Sequence, residues 1–131
     1  MLKRFVFFTT LIALVLLSCK EKNSPEGPTD IRVKNLSDVT FTSVTVNTSG
    51  GTHDYPELTP GSYTEYQRFE KAYPIAEISA IIAGETYSTG PQNYNYQVVL
   101  GQGKFVYEVF IENAGQKKLA ISEVIPEAPL K

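Results

Sequence analysis

The sequence predicts an all-β domain, a sandwich of seven to eight short strands, and three observations support this prediction. Residues that favour strands are abundant, with eight tyrosines and seven phenylalanines among 131 residues and many valines, isoleucines and threonines. Short segments of alternating apolar and polar side chains follow one another, separated by turn residues at the roughly 8–12-residue spacing of sandwiches and barrels. These segments do not alternate with long helical patterns, as a parallel βαβ fold would require.

The first predicted strand covers residues 31–36. Ile31 and Val33 share one phase of the alternation, and Arg32 and Lys34 share the other. Because successive side chains of a strand point to opposite faces, we expect the two apolar residues in the core and the two cations in water.

The second predicted strand, residues 39–48, changes phase in its middle. Its apolar residues occupy one phase before the middle and the other phase after it: Val39 and Phe41, then Val44 and Val46. One extra residue in a strand reverses the side-chain phase, so we predict a β-bulge near Thr42 and Ser43. Ser49-Gly50-Gly51 then supplies a turn.

The remaining strands are predicted from the same alternation. They cover residues 75–82, 85–89, 94–100, 104–113 and 117–125, and Ala83-Gly84 and residues 101–103 provide turns. The segment 62–73 has two interpretations. Residues 62–65 match a helix capping box, and Tyr63, Tyr66 and Tyr73 recur at helical spacing, yet the surrounding chain is β, so we predict an exposed strand and keep a helix as the alternative.

Seven or eight strands within about 95 residues resemble an immunoglobulin-like or transthyretin-like sandwich, with a barrel as the alternative. The sequence has neither the Cys…Trp…Cys pattern nor the tyrosine corner of immunoglobulin domains, so this resemblance depends on strand number and spacing.

The amino terminus has the pattern of a secretory signal peptide. Lys3 and Arg4 precede an apolar run, FVFFTTLIALVLL, at residues 5–17. As a helix this run would cover about 20 Å, which is shorter than the roughly 30 Å of bilayer hydrocarbon. A cleaved signal peptide therefore fits better than a permanent membrane span.

Leu16-Leu17-Ser18-Cys19 resembles the lipobox of bacterial lipoprotein precursors. The resemblance implies a diacylglyceryl group on the Cys19 sulfur, cleavage between Ser18 and Cys19, and acylation of the new amino group. Two or three buried acyl chains hold a protein stably at a membrane. In lipoproteins, Asp after the modified Cys is associated with inner-membrane retention; Lys20 at that position implies the outer membrane.

The chain also resembles small β-sandwich lipoproteins of the Bacteroidota. Lys20-Glu21-Lys22 is similar to the short charged signal of surface-displayed lipoproteins in that group, so either the periplasmic face or the cell surface is consistent with the sequence. We predict three parts: a signal peptide at residues 1–18, the lipidated Cys19 with a flexible linker to residue 29, and a β-sandwich at residues 30–131.

Composition excludes several kinds of chemistry. Without residues 1–18 the chain has ten basic and fourteen acidic side chains, a net charge of −4, which disfavours nucleic-acid binding. Cys19 is the only cysteine, so the folded part has no disulfide and no thiol nucleophile. His53, Asp54 and Glu57 form the only cluster that mixes an imidazole with carboxylates, in a predicted loop. A catalytic zinc site usually has more than one histidine, so we expect a solvated loop and no metal.

Tyrosine is the residue type with the greatest potential for binding. Exposed rings with polar tips are typical of protein interfaces and carbohydrate platforms, and the candidate surface residues are Tyr63, Tyr66, Tyr94 and Tyr96. The expected function is a non-catalytic binding or accessory module without a cofactor, anchored in the outer membrane and contacting a protein or glycan of the cell envelope. The alternative is a small hydrolase or metal-dependent enzyme that uses His53 with nearby carboxylates.

Overall fold

Eight β-strands account for the regular secondary structure in a computed structural model that describes residues 26–129. They are β1 (Thr29–Asn35), β2 (Ser43–Asn47), β3 (Thr52–Tyr55), β4 (Gln67–Phe69), β5 (Glu77–Ile82), β6 (Glu85–Ser88), β7 (Gly103–Asn113) and β8 (Lys118–Ala128). The prediction of an all-β fold with seven to eight short strands is confirmed. Within the described range, no helix is long and apolar enough to cross a bilayer. The predicted signal peptide and Cys19 lie outside the described residues.

The strands form one nearly closed sheet that folds into two four-stranded layers. Its order is β3-β2-β5-β6-β8-β7-β1-β4, and the two halves are joined between β6 and β8 by a single pair, Ser88 with Lys118. The inner faces of both halves contribute to one hydrophobic core. In immunoglobulin domains the first two strands are neighbours in one sheet. Here β1 and β2 lie in different layers, so the transthyretin-like sandwich is the predicted arrangement that fits.

The first strand lies in the middle of its layer. It pairs in parallel with β7 over its whole length, from Thr29–Gly103 to Asn35–Val109, and antiparallel with the short strand β4. Ile31 and Val33 are completely buried, whereas Arg32 and Lys34 lie on the outer face. The alternation of the sequence is therefore the alternation of this strand, as predicted.

The phase change in the second predicted strand is also confirmed. Phe41, Val44 and Val46 are all buried, whereas Thr42 and Ser43, between the two apolar pairs, are exposed. Phe41 forms an isolated bridge with Leu58, and regular pairing starts only at β2. Two consecutive outward residues thus let both apolar pairs reach the core.

Three segments test the sequence predictions more severely. Residues 62–73 contain no helix, so the helical alternative is wrong; the strand prediction holds for part of the segment, a bridge from Lys34 to Tyr63 and the short strand β4. Residues 52–55, predicted as a loop, form β3. Residues 94–100, predicted as a strand, form no strand and lie in the connection between β6 and β7.

The body of the fold begins slightly earlier than the predicted boundary at residue 30. Thr29 is completely buried in β1, and its hydroxyl donates a hydrogen bond of 2.6 Å to the carbonyl of Gly101. The Gly27 carbonyl accepts a hydrogen bond of 3.1 Å from the Gln102 side chain. Residues 27–29, the end of the predicted linker, are thus held against the start of β7.

Candidate binding surface

The four predicted surface tyrosines lie at two separate places. Tyr63 and Tyr66 lie on the outer side of the layer β4-β1-β7-β8, where they meet Arg32. Tyr94 and Tyr96 belong to the loop of residues 89–102, between β6 and β7. They therefore do not form one continuous surface with the first pair.

The first pair belongs to a group that we call the Arg32 cluster, which consists of Arg32, Tyr63, Tyr66, Lys104 and Glu127. Strand alternation directs Arg32 of β1 and Lys104 of β7 to the outer face. The pairing of β7 with β8 changes register between Lys104 and Phe105, and this irregularity leaves Glu127 without a registered partner in β7. The bridge between Lys34 and Tyr63 holds the Tyr63 backbone beside β1.

Glu127 is the polar centre of the Arg32 cluster. Arg32 Nε donates to Glu127 Oε1 at 2.7 Å, and a terminal guanidinium nitrogen donates to the other carboxylate oxygen, so the pair is bidentate. The Tyr66 hydroxyl donates to the same carboxylate. Bidentate guanidinium–carboxylate pairs fix orientation more strictly than single contacts do. One carboxylate thus orients both a cation and an aromatic ring.

Aromatic rings and cations stack around this centre. The Arg32 guanidinium carbon lies 4.0 Å from the centroid of the Tyr63 ring and 5.2 Å from that of Tyr66. Lys104 Nζ lies 5.0 Å from the Tyr66 centroid. Cation–π contacts at such distances are favourable, and more so when partly desolvated. The two tyrosine rings are therefore positioned by cation–π contacts as well as by the course of the backbone.

The protonation equilibria of the Arg32 cluster follow from these contacts. The pKa of the Glu127 carboxyl is lowered, mainly because Arg32 donates a hydrogen bond to it, and the Tyr66 hydroxyl acts in the same direction. The pKa of Tyr66 is raised to about 12, first by desolvation and then by its hydrogen bond to Glu127. Near neutral pH the carboxylate is therefore charged and the phenol is protonated.

Glu127→Gln is expected to reduce stability at neutral pH by about 0.5–1 kcal/mol, because the ion pair is near the surface. A carboxyl whose pKa is lowered by folding stabilises the folded state above its unfolded pKa, and this contribution is lost as the pH falls through the folded pKa. The difference in stability between Glu127→Gln and the natural protein should therefore disappear in acid, at pH values below the ordinary glutamate pKa of about 4.3. Urea unfolding over a pH series measures it.

The matched control is Glu123→Gln, since Glu123 also lies in β8 and is exposed. It should change stability by less than about 0.5 kcal/mol. If the effect of Glu127→Gln persisted unchanged in acid, it would come from lost packing and not from the charge of the carboxylate.

The Arg32 cluster presents one partly exposed aromatic ring, that of Tyr63, above a well-buried part of the sheet. Tyr63 is 46% exposed, whereas Val106, on the outer face of β7 and in register with Arg32, is only 2% exposed. Long charged side chains commonly cover such apolar residues with their stems. Because the ring is already held by Arg32, a partner that contacts it need not freeze a freely rotating side chain.

The structure does not assemble His53, Asp54 and Glu57 into one site. His53 is half-buried: its Nε2–H donates to the Arg68 carbonyl at 2.7 Å, and its ring meets the Phe69 ring edge-on at 4.7 Å. Asp54 points to the opposite side of β3, where it accepts a hydrogen bond of 2.7 Å from Thr45. No group of three potential metal ligands occurs among residues 26–129. His53 connects the edge strands β3 and β4.

The second pair of tyrosines occupies a loop that is fixed at its base and exposed at its tip. The Tyr94 ring packs against Tyr73 with centroids 5.1 Å apart, and its hydroxyl donates to the Asn47 carbonyl at 3.1 Å. Tyr96, two residues later, is fully exposed. The Tyr94 side chain therefore packs against the fold, whereas the Tyr96 side chain projects into solvent.

A shallow groove of about 390 Å³ lies on the outer face of the other layer. Its lining is mostly hydroxyl and amide side chains with one carboxylate, from residues that include Thr45, Asn47, Glu77, Ser79 and Ser88. No histidine, lysine or arginine lines it. Glu77 thus has no acid–base partner in the groove, which offers hydrogen-bonding groups only.

Comparisons with known proteins bear on the architecture. No protein-family model and no curated protein sequence matches the chain. An NMR structure of a protein from Eubacterium rectale is similar, with a TM-score of 0.53 and 13% sequence identity, over 78% of this chain and 95% of that one. The likeness concerns the fold alone. It supports the all-β sandwich and says nothing of activity.

Three members of the Arg32 cluster were not predicted as site residues: Arg32, Lys104 and Glu127. Arg32 was assigned correctly to the outer face of its strand, which is the only signal that the sequence gives. Glu127 lies 95 positions from Arg32 and comes beside it only through the parallel pairing of β1 with β7 and the bulge in β8. No local pattern marks such a contact.

Proposed function

We propose that this chain is a lipid-anchored lipoprotein of the bacterial outer membrane, and that its β-sandwich is a non-catalytic binding or accessory module. The anchor depends on the lipobox-like residues 16–19. The module binds a protein or a glycan of the cell envelope through the Arg32 cluster. The mild negative charge of the mature chain disfavours nucleic acid as the partner.

The observation that carries the binding role is the Tyr63 ring, half exposed and stacked on a guanidinium that Glu127 holds in place. Tyrosine and arginine are enriched among the residues that contribute most to protein interfaces. The cluster also presents charges of both signs on a flat sheet face. These features favour a protein partner over a glycan.

The alternative, a small hydrolase or metal-dependent enzyme, has less support from the geometry. A general base must reach the proton that it abstracts, either directly or through one water. The Nε2 of His53 is occupied by the Arg68 carbonyl, and Asp54 lies on the other side of β3. A hydrolytic site at His53 would require β3 and β4 to separate.

The anchor is tested by mass spectrometry of the protein isolated from membranes. We expect a polypeptide that begins at Cys19 and carries the added mass of two or three acyl chains. Cys19→Ser should prevent lipid attachment and move the protein to the soluble fraction. A double variant that combines Cys19→Ser with Thr86→Cys, which keeps one thiol on the exposed side of β6, should behave like Cys19→Ser alone. A mature chain without fatty acids would disprove the anchor.

The binding surface is tested by site-specific photocrosslinking in cells that produce the full chain. A photoreactive phenylalanine analogue at Tyr63 should give one reproducible crosslinked species, and the same analogue at Thr86, exposed on the opposite layer, should not give it. Glu127→Gln should weaken the Tyr63 crosslink because it releases Arg32 and Tyr66. Identical crosslinks from both positions, or none from Tyr63, would refute the surface.

A further inference from the structure

The loop of residues 89–102 lies at the end of the sandwich where the chain enters the fold. Gln102 bonds to the Gly27 carbonyl, and the Gly101 carbonyl accepts from Thr29. The last residue of β2, Asn47, which holds the Tyr94 hydroxyl, pairs with Thr52 and Glu77, the first residues of β3 and β5. The loop therefore shares one end of the molecule with the segment that leads back to Cys19.

The base of this loop is fixed to the sandwich. The Thr89 amide donates to the Ile78 carbonyl at 2.9 Å, and the Leu100 amide donates to the Ala72 carbonyl at 2.8 Å. The contact between Tyr94 and Tyr73 lies between these two bonds along the loop. The tip of the loop is thus attached to the sandwich by these hydrogen bonds and this ring contact.

The tip itself exposes apolar surface without any charge. Tyr96 is fully exposed and Val98 is 78% exposed. Residues 90–102, GPQNYNYQVVLGQ, include no Asp, Glu, Lys or Arg, although charged residues are 20% of the whole chain. An uncharged segment with an outward tyrosine is suited to the membrane–water interface, where tyrosine places its ring among headgroups.

The backbone of the tip is strained in a way that projects the tyrosine. Residues 94–97 form a turn closed by the Gln97 amide and the Tyr94 carbonyl at 3.1 Å, and Tyr96 has φ of 68°. Side chains other than Gly, Asn and Asp rarely adopt this left-handed region. The left-handed backbone at Tyr96 turns the side chain outward, where it is fully exposed.

We propose that the tip, with Tyr96 and Val98, inserts into the headgroup region of the membrane that holds the lipid anchor. This inference rests on the proposed anchor at Cys19. Glu26 lies seven residues after Cys19, and a chain of that length spans at most about 25 Å. The tether thus keeps this end of the sandwich beside the bilayer. A contact too weak to hold a free protein suffices for a tethered one, because the local concentration is high.

Insertion of the tip sets the orientation of the whole domain. The end with residues 26–28 and the loop faces the lipid. Lys104 of the Arg32 cluster lies near this end, in register with Asp30, whereas Tyr63 bridges Lys34 further along β1 and lies on the side of the sandwich. A partner can then reach Tyr63 without competing with the membrane.

The absence of tryptophan from the chain allows a direct test. The full lipidated protein is placed in vesicles of phosphatidylethanolamine and phosphatidylglycerol as Tyr96→Trp, Val98→Trp or, for comparison, Tyr63→Trp. We expect blue-shifted emission that brominated acyl chains quench for the variants at 96 and 98, and unshifted, unquenched emission for Tyr63→Trp. Flotation of the vesicles reports the anchor independently of the fluorescence.

The outcomes separate the two proposals. Protein that floats with the vesicles but shows no quenching at 96 and 98 disproves insertion and leaves the anchor intact. Equal quenching at 63 and 96 also disproves the proposed orientation. A blue shift at 96 without quenching by brominated lipid would mean that a second copy or another protein covers the tip. Protein that does not float disproves the anchor, and the insertion with it.

Discussion

Phe69→Ala is expected to lower the free energy of unfolding by about 3–5 kcal/mol. Phe69 ends β4, is 1% exposed, and belongs to the shared core. Its ring also meets the His53 ring of β3. Removing it leaves a cavity at the place where the two edge strands approach each other. Chemical denaturation followed by circular dichroism measures the change.

Two controls define the cause of this effect. Phe69→Leu preserves most of the volume and should cost less than about 1.5 kcal/mol. Tyr96→Ala removes an aromatic ring of similar size from a fully exposed position and should change stability by less than about 0.5 kcal/mol. A loss below about 1.5 kcal/mol for Phe69→Ala would show that β4 is not anchored through this ring.

Asn35→Ala is expected to cost about 2–4 kcal/mol, because the side chain is completely buried and uses its full hydrogen-bonding capacity. Its Nδ2 donates to the carbonyls of Val39 and Leu58 at 2.7 and 3.0 Å. Its Oδ1 accepts from the amide and the hydroxyl of Ser37 at 2.8 and 2.6 Å. The substitution removes these four hydrogen bonds from a buried position; the Leu58 carbonyl keeps the Phe41 amide and the Val39 carbonyl keeps the Ser37 hydroxyl, but the Ser37 amide loses its bond. Thermal and urea unfolding should agree on the loss.

The matched control for Asn35 is Asn47→Ala. Asn47 Oδ1 accepts one hydrogen bond, from the Ser49 amide at 2.9 Å, at an exposed turn. Water can replace that bond, so the expected loss is about 0.5–1 kcal/mol. If the two variants lost equal stability, the buried position of Asn35 would not be the cause of its effect.

Where a strand is half-buried, the sequence alone was sufficient to find it. The alternation in β1, β5 and β7 matches the observed strands closely, whereas β8 extends beyond the predicted end at residue 125 and changes register; the reversed phase around Thr42 and Ser43 was visible as a conflict between two apolar pairs. Both signals are local, because side chains of one strand alternate whatever the neighbouring strand is. The number of strands and the sandwich follow from their spacing.

The errors have a common cause, since a strand also requires a partner. Residues 94–100 alternate well, yet they pair with no strand, and the loop packs instead through Tyr94. Residues 52–55 look like a polar loop because only Tyr55 of this edge strand is buried. Availability of a neighbouring edge is a property of the whole fold, which a local pattern does not encode.

The candidate site was predictable only in part. Tyr63 and Tyr66 were chosen because exposed tyrosines suit interfaces, and the structure places both at the Arg32 cluster. Their counter-charge, Glu127, follows from a bulge near the end of β8, which nothing in the sequence marks. The separation of Tyr94 and Tyr96 from this cluster likewise depends on the path of a loop.

The parallel ladder between β1 and β7 determines when this domain can fold during synthesis. Thr29 is made early, yet its ladder partner Gly103 is made near the end, and β4 offers β1 only three paired residues in the meantime. Contacts between such distant parts of a chain close slowly, typically in milliseconds to seconds for all-β proteins. A growing chain therefore cannot complete the layer that contains β1 until β7 has been made.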